Sequence, residues 1–570
     1  MASRRIYSQQ EIDKITPMVW REIDKQFPFD SARSGQKDLI FRIVKAYMEG
    51  KKYFILEAPT GTGKSVIGTT AAKVISALFT LEAEDDKKAP PSNSCVCTKT
   101  KALQKQYSDS FPDIVTLWSK TGYPCNLEPY NPDAYYGSYT CSKKYCKLFN
   151  ECNFRVAREK FNSASTGTLN YAYYLNFRHY RSKVLVLDEC HTLEQVLCNH
   201  LSVKFNVEFT HRTLQVMLKY DLISSELASK LYALLTNAIS IKDTMPRWFL
   251  VMKSIIQAMK PIVSLMVSNF NSLQDEIDMG NYTIDPTAKK NLYHHAGLVN
   301  TLEGKLQKLL HSSVEWVISE RKDNDFIELK PVELHEEAHI LFNRCEFAIL
   351  MSATICGIQV FAENLGIKLH EYSSTQLNST VPIENRRVYS VGLPSFSRET
   401  KEEVFPLYVH VMDELISQFA PNDRGIIHSV SYDNARFIVD NSKHSHRMKI
   451  PESYELMHIK DYMSMEDDRI IVTPAAIEGL DLEGDLSRFQ AFLKVPYPYL
   501  GDKWVARKKE ISNDWYLRET ISAIVQGAGR SVRGGDDYAT TFIMDSNFDR
   551  LTYRGDLIPQ WFSEAIVKLG

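Results

Sequence analysis

Residues 52–65 read Lys52-Tyr-Phe-Ile-Leu-Glu57-Ala58-Pro59-Thr60-Gly61-Thr62-Gly63-Lys64-Ser65. The first six form a short apolar run of the length and kind that a buried strand has. The next eight make a Gly-containing loop, and a helix-like stretch begins at Lys64. A strand, such a loop and a helix start together are the context of a phosphate-binding loop. Gly61 and Gly63 let backbone N–H groups close around phosphate oxygens. Lys64 brings a point charge to the β- and γ-phosphates, and Ser65 brings a hydroxyl to Mg²⁺. The helix N-terminus adds partial positive charge. Ala58 stands where the strict pattern has its first glycine.

Working outward, Val184–Leu187 (VLVL), Phe347–Met351 (FAILM) and Arg469–Val472 (RIIV) read as further buried strands. Strands of this kind alternating with helices predict parallel α/β sheets. Asp188-Glu189-Cys190-His191 follows one of them. The carboxyl ends of strands are where open α/β sheets bind ligands. Asp188 is placed to hold Mg²⁺, and Glu189 to orient and deprotonate an attacking water. His191 is a candidate link to an opposite domain, and Cys190 reads as a small buried residue.

The chain has 570 residues, with 68 Lys and Arg against 70 Asp and Glu, 44% hydrophobic and 24% charged. Disorder and fibrous folds are excluded, and about three or four domains are expected at roughly 150 residues each. The balanced charge excludes a general polycation, so any nucleic-acid contact must be local. Ten Cys are too sparse for a secreted disulfide scaffold. The N-terminal MASRRIYSQQEID lacks an apolar signal core, and no run of 18 apolar residues suggests a membrane span. A reducing, cytoplasmic compartment is expected (nucleoid-associated, or a host cytoplasm if viral).

Turn-rich breaks fall at 85–93, 124–138, 280–286 and 373–382. Between about 200 and 335, Leu227, Leu231, Leu234 and Leu235 recur at helical spacing, as do Leu298, Leu302, Leu306 and Leu309. Strand signals are few, which predicts a helical insertion with leucine stripes as core. Further on, Gln526-Gly-Ala-Gly529-Arg530-Ser-Val-Arg533 places two guanidiniums at i and i+3, read as one helix face. Arg is always charged and forked, which suits a transferring phosphoryl group. Ile477-Glu-Gly479-Leu-Asp481 lies between this segment and the Arg469–Val472 strand.

In order, APTGTGKS, TKTKALQ (Thr98–Gln104), DECH, MSATI (Met351–Ile355), IIHSVSY (Ile426–Tyr432), IEGLDLEGD (Ile477–Asp485) and QGAGRSVR resemble the motifs of a superfamily-2 helicase. IEGLDLEGD, Val381-Pro-Ile-Glu-Asn-Arg386 and QGAGRSVR are similar to the branch containing XPD/Rad3 and DinG. The likeness runs from Arg33 and Gln36, ahead of the phosphate loop, to Arg533. Cys190 departs from it, since Ala is usual there, and residues 200–335 are the least similar part.

Cys125, Cys141, Cys146 and Cys152 are spaced C-x15-C-x4-C-x5-C. Four thiolates suit a [4Fe–4S] cluster, and structural zinc sites usually show C-x2–4-C pairs. Spacing alone leaves iron–sulfur and zinc both open. The resemblance implies iron–sulfur: that branch carries a four-cysteine cluster domain between the two ATP motifs, and the C-x4-C-x5-C part is similar to DinG. Lys64 and Asp188 are 124 positions apart, room for such an insert. Cys95 and Cys97 read as core. Residues 141–160 hold six Lys or Arg and two acids, with Tyr145, Phe149 and Phe154 among them. Such aromatics stack bases of single strands while cations follow phosphates, and a small aromatic core with a solvated basic face is the competing reading.

The expected architecture is α/β, with two RecA-like parallel-sheet motor domains and two insertions in the first. The expected division is motor domain 1 over 1–110, 166–199 and 336–385, a cluster domain at 111–165, a mainly helical arch at 200–335, and motor domain 2 over 386–570. The resemblance implies an ATP-dependent DNA helicase, 5′→3′, with ATP, Mg²⁺ and [4Fe–4S] as cofactors. Lys64, Asp188, Glu189, Gln526, Arg530 and Arg533 are the catalytic candidates. Arg33, Gln36, residues 58–65, Gly479 and Asp481 would bind nucleotide, with Ser65 and Asp188 on Mg²⁺. Single-stranded DNA and forked or tailed duplex are the expected partners, an RNA–DNA hybrid a further one, and a monomer the expected state. The alternatives are a DEAH-type RNA helicase, disfavoured because only 37 residues follow Arg533, and an ATPase, translocase or scaffold without strong unwinding.

Overall fold

A computed structural model describes residues 4–79, 93–126, 146, 148–177, 179–245, 247–322, 325–335, 337–397, 399–451, 468–474, 484–532, 534 and 537–569. Two seven-stranded parallel sheets dominate it. The first contains β1 (Tyr53–Glu57), β2 (Ser94–Thr98), β3 (Val115–Thr116), β4 (Thr166–Asn170) and β5 (Ser182–Asp188). Next in the chain come the insertion strands β6 (Val203–Asn206), β7 (Trp316–Lys322) and β8 (Phe326–Pro331), followed by β9 (Cys345–Ser352) and β10 (Tyr372–Gln376). The first sheet runs β10-β1-β9-β5-β2-β4-β3. Helices cover both faces, so β2 and β5 are buried along their whole length. Their unbroken apolar runs follow from that two-sided burial.

The second sheet holds β11 (Val388–Leu393), β12 (Gly425–His428), β13 (Met448–Lys449), β14 (Ile470–Thr473), β15 (Phe489–Phe492), β16 (Thr540–Asp545) and β17 (Ile566–Lys568). Its order is β13-β14-β12-β15-β16-β11-β17. Cys95 and Cys97 are buried in the first lobe's core, as the sequence predicts.

Eight helices matter below: α1 (Lys64–Phe79), α2 (Leu193–Leu201), α3 (Val207–Lys219), α4 (Ser225–Ser240), α5 (Trp248–Met279), α6 (Pro286–His311), α7 (Lys503–Ile511) and α8 (Asn513–Ala528). Helices α3 to α6 form the insertion, with a core of its own. One expectation is extended and one needs correction. The insertion also contains a three-stranded antiparallel sheet, β6-β8-β7, in which the alternating strand β6 is only four residues long. Part of the turn-rich stretch from 373 is an edge strand, β10, paired in parallel with β1. By length and composition α5 could cross a membrane. Here Met252, Ile256, Met259, Ile262, Val263 and Met266 pack into the insertion's core. Strand β3 joins the first sheet, so that sheet extends past the 110/111 limit of the expected division.

Helix α7, from the second lobe, grips the insertion. Arg507 holds both carboxylate oxygens of Glu315 at 2.9 Å. The Trp504 indole N–H donates to Pro331 O at 2.8 Å, and Lys503 pairs with Asp243.

Candidate active site

Strand β9 lies between β1 and β5, with Glu57 in register with Ser352 and Asp188 with Met351. The phosphate loop, Ser352 and the acidic motif therefore meet at one sheet edge. Gly61 and Gly63 both have φ of 82°, a left-handed region that glycine enters without strain. A Cβ on Gly63 would sit 2.3 Å from the Gln36 amide nitrogen. That amide donates to Thr62 O at 3.1 Å, and its oxygen accepts from Arg33 N at 2.9 Å. The Arg33 guanidinium donates to Gly61 O. Arg33 and Gln36 thus brace the loop. Thr62 Oγ1 donates to Pro59 O at 2.7 Å, and Ala58 is buried beneath. Thr60 is half-buried. The Lys64 ammonium folds over the loop onto Ala58 O (2.9 Å) and Pro59 O (3.4 Å).

At the end of β5, Asp188 is buried. Tyr107 donates to its Oδ2 at 2.9 Å, and Ser65 lies close to the same phenol. Ser65 and Asp188, the candidate Mg²⁺ ligands, therefore both lie near one hydroxyl. Tyr107 lies on the helix Lys101–Ser110, 81 positions from Asp188, and no pattern in the sequence marks it. Burial, then the charge of Glu189, pushes the Asp188 carboxyl up to about 6. A hard oxygen-ligated cation beside Asp188 and Ser65 would favour the ionised form.

Glu189 has φ of 55°, left-handed for a side-chain-bearing residue, at a cost of order 1–3 kcal/mol. The sharp turn leaves Asp188 buried and Glu189 and His191 partly buried. Burial opposes ionisation of Glu189, but His191, Lys64 and Ser352 outweigh it and hold the carboxyl at about 2. Of the two acids, Glu189 carries the firm negative charge. His191 Nδ1 is 2.7 Å from Ser352 Oγ and 3.3 Å from Glu189 Oε2. Its other nitrogen meets the Gln526 amide of the second lobe. With Gln526 donating, Nδ1 carries the proton, and Ser352 donates on to Glu189 at 3.4 Å. His191 thus links the lobes, as the sequence suggests. Cys190 is buried.

Helix α8 ends at Ala528 with Gly529 as its cap. Arg530 therefore lies in the turn beyond the helix, which corrects the reading of two arginines on one helical face. Two glycines in three residues end the helix there; a Cβ on Gly527 would meet the Phe492 ring at 2.5 Å. Gly479, Asp481, Arg533 and Cys141 lie outside the described residues. The other three cysteines of the proposed cluster share one region. Cys152 caps the helix Asn153–Ser163, and Phe149 N donates to Cys146 O. Asn153 bonds Pro124 O and Asn126 Oδ1 on either side of Cys125. Among the described residues no three metal-ligating side chains gather into a site.

Two parallel-sheet lobes, a phosphate-loop motif on one and a Gln–Arg segment of the other at the same cleft, define the class by its architecture: a two-lobed helicase-type fold. Comparisons with known proteins agree. The helicase C-terminal domain model matches residues 410–565, and the model for the res subunit of type III restriction enzymes matches 30–213. A regulator of telomere elongation helicase 1 homolog from Caenorhabditis elegans is 29% identical over 105 residues, 16% of this chain and 10% of that protein. The ATP-dependent DNA helicase CHL1 of Saccharomyces cerevisiae is 21% identical over 266 residues, 40% of this chain and 31% of that protein. The chain thus spans a third or less of these relatives. A solved XPD helicase superposes with a TM-score of 0.61 at 14% identity, covering 95% of this chain and all of the other. Xpd4 of S. tokodaii gives 0.58 at 13%, covering 94% and all of it. The fold is that of the XPD helicases.

Proposed function

We propose that this protein is an ATP-dependent DNA helicase that moves 5′→3′ on single-stranded DNA and separates forked or tailed duplexes. The observation that carries this reading is the ATP-type site divided between lobes, with Glu189, Ser352 and His191 joined to Gln526. ATP and Mg²⁺ would be held by residues 58–65, Arg33, Gln36 and Asp188. Glu189 would orient the attacking water, and Arg530 and Arg533 would meet the γ-phosphate from the opposite lobe. Gly479 and Asp481 complete the proposed set. Hydrolysis then loosens the contact between lobes, a hinge-type motion.

A [4Fe–4S] cluster on Cys125, Cys141, Cys146 and Cys152 is part of this proposal, with the DinG-like spacing as its support. Bound there, it would cross-link a short insertion beside the strand's path. Six Lys or Arg in residues 141–160 supply the local cations that the balanced overall charge does not. The test is unwinding of duplexes carrying a single 5′ or 3′ tail. The 5′-tailed duplex should open with ATP and Mg²⁺ and the 3′-tailed one should not. The reverse preference overturns the polarity, and no opening of either overturns the helicase reading.

A further inference from the structure

Helix α8 carries one polar stripe. Trp515, Arg518, Ser522 and Gln526 lie at steps of three, four and four, which is a single helical face. All four bond the first lobe. The Trp515 indole N–H donates to Glu194 Oε2 at 2.7 Å. Arg518 donates to Ile355 O at 3.1 Å, and its other terminal nitrogen lies 3.7 Å from Glu194. Ser522 donates to Thr354 O at 3.0 Å, and Gln526 meets His191. The far end of the stripe thus enters the ATP-type site, and the near end closes on Glu194.

Glu194 sits on α2, five residues after Glu189 in the same turn of chain. Its side chain is 7% exposed. Lys508, on α7, approaches its Oε1 at 2.5 Å and is itself 6% exposed; Arg518 is 1% exposed. A buried carboxylate therefore faces two buried cations and an indole N–H, all from the other lobe. Such groups leave water only when their partners are in place; Arg518 also pairs with its neighbour Glu519, so removing the Glu194 charge takes the carboxylate chiefly from the buried Lys508. Three further polar bonds along the helix cannot reproduce that charge balance.

We propose that Glu194 is a positioning residue for ATP hydrolysis: it anchors α7 and α8 to the first lobe and so sets where Gln526 and Arg530 meet the cleft. It acts through α8, about 16 Å of helix from Trp515 to Gln526 at 1.5 Å per residue, and does not touch nucleotide. The hydrolysis part of this inference rests on the proposed function; the docking part does not.

The test compares wild type with Glu194→Gln and with Glu194→Gln/Lys508→Met, which removes both members of the pair. Amide hydrogen exchange is followed across 513–528 and 64–79, with ATP hydrolysis measured with and without single-stranded DNA. Glu194→Gln should raise exchange across 513–528 at least tenfold and leave 64–79 unchanged. DNA-stimulated kcat should fall tenfold or more with KM for ATP within twofold, because the phosphate loop lies wholly in the first lobe. The double variant should recover part of the exchange protection. Unchanged exchange at 513–528, or an equal rise in both segments, overturns the anchor. A wild-type kcat in a variant whose α8 is deprotected overturns the positioning role. A wild type without ATPase activity overturns the proposed function and the positioning role with it, and the exchange pattern still decides the anchor.

Discussion

His191, just beyond β5 of the first lobe, is hydrogen-bonded through its ring to the Gln526 amide of the second, 335 positions along the chain. Through Ser352 the bond reaches Glu189, the acid proposed to orient water. Gln526→Ala removes the lobe-2 end of this line and leaves the phosphate loop intact. A lost hydrogen bond to a charged network is worth about 1.5–3 kcal/mol, or roughly 10- to 100-fold in rate. Steady-state ATP hydrolysis should show that fall in kcat with little change in KM.

His428, at the end of β12, stacks on Phe492 at 4.3 Å. Burial, with help from Arg530, lowers its pKa to about 4, against a hydrogen bond from the ring to the Gln490 amide oxygen that works the other way. An unfolded histidine titrates near 6.5, so below that pH the unfolded chain binds the extra proton first. The stabilising effect is complete above about 6.5 and is lost as pH falls towards 4, amounting to roughly 3 kcal/mol at its limit. Denaturant midpoints at pH 7.5 and pH 5 should drop less for His428→Gln than for wild type. An identical drop contradicts the assignment.

Arg507 and Glu315 join α7 to the insertion. Both are more than a third exposed, so the pair itself is worth only about 0.2–1 kcal/mol. Arg507→Ala should therefore unfold near the wild-type temperature. If the second lobe drives the insertion through this contact, the variant should unwind several-fold more slowly at a near-normal ATPase rate. Parallel loss of both activities would argue for a general structural fault instead.

Anaerobically purified protein should be brown, with visible thiolate–iron absorption. Cys146→Ser should abolish that colour and reduce unwinding more than ATP hydrolysis. A colourless protein with one stoichiometric zinc contradicts the cluster assignment.

The phosphate loop and the strands ahead of the acidic motifs were legible because their signals are local: a buried parallel strand is a short apolar run, and the loop's glycines sit next to it. Strand β10 was not, because Tyr-Ser-Ser-Thr-Gln has no apolar pattern and becomes a strand only by pairing with β1. Tyr107 and Glu194 were invisible for a related reason. Each is a polar residue on a helix, and its importance comes from a partner brought close only by folding. The arginine segment misled in the opposite direction: a spacing of three suggests a helical face, but the helix stops at Ala528.

The central claim is that the loop at residues 58–65 powers work on DNA, and it is tested most directly by ATP hydrolysis with and without single-stranded DNA for wild type and Lys64→Ala. Wild type should be stimulated by the strand, and Lys64→Ala should lose at least a hundredfold of that rate while keeping its fold. Stimulated hydrolysis at the wild-type rate in Lys64→Ala would contradict the assignment.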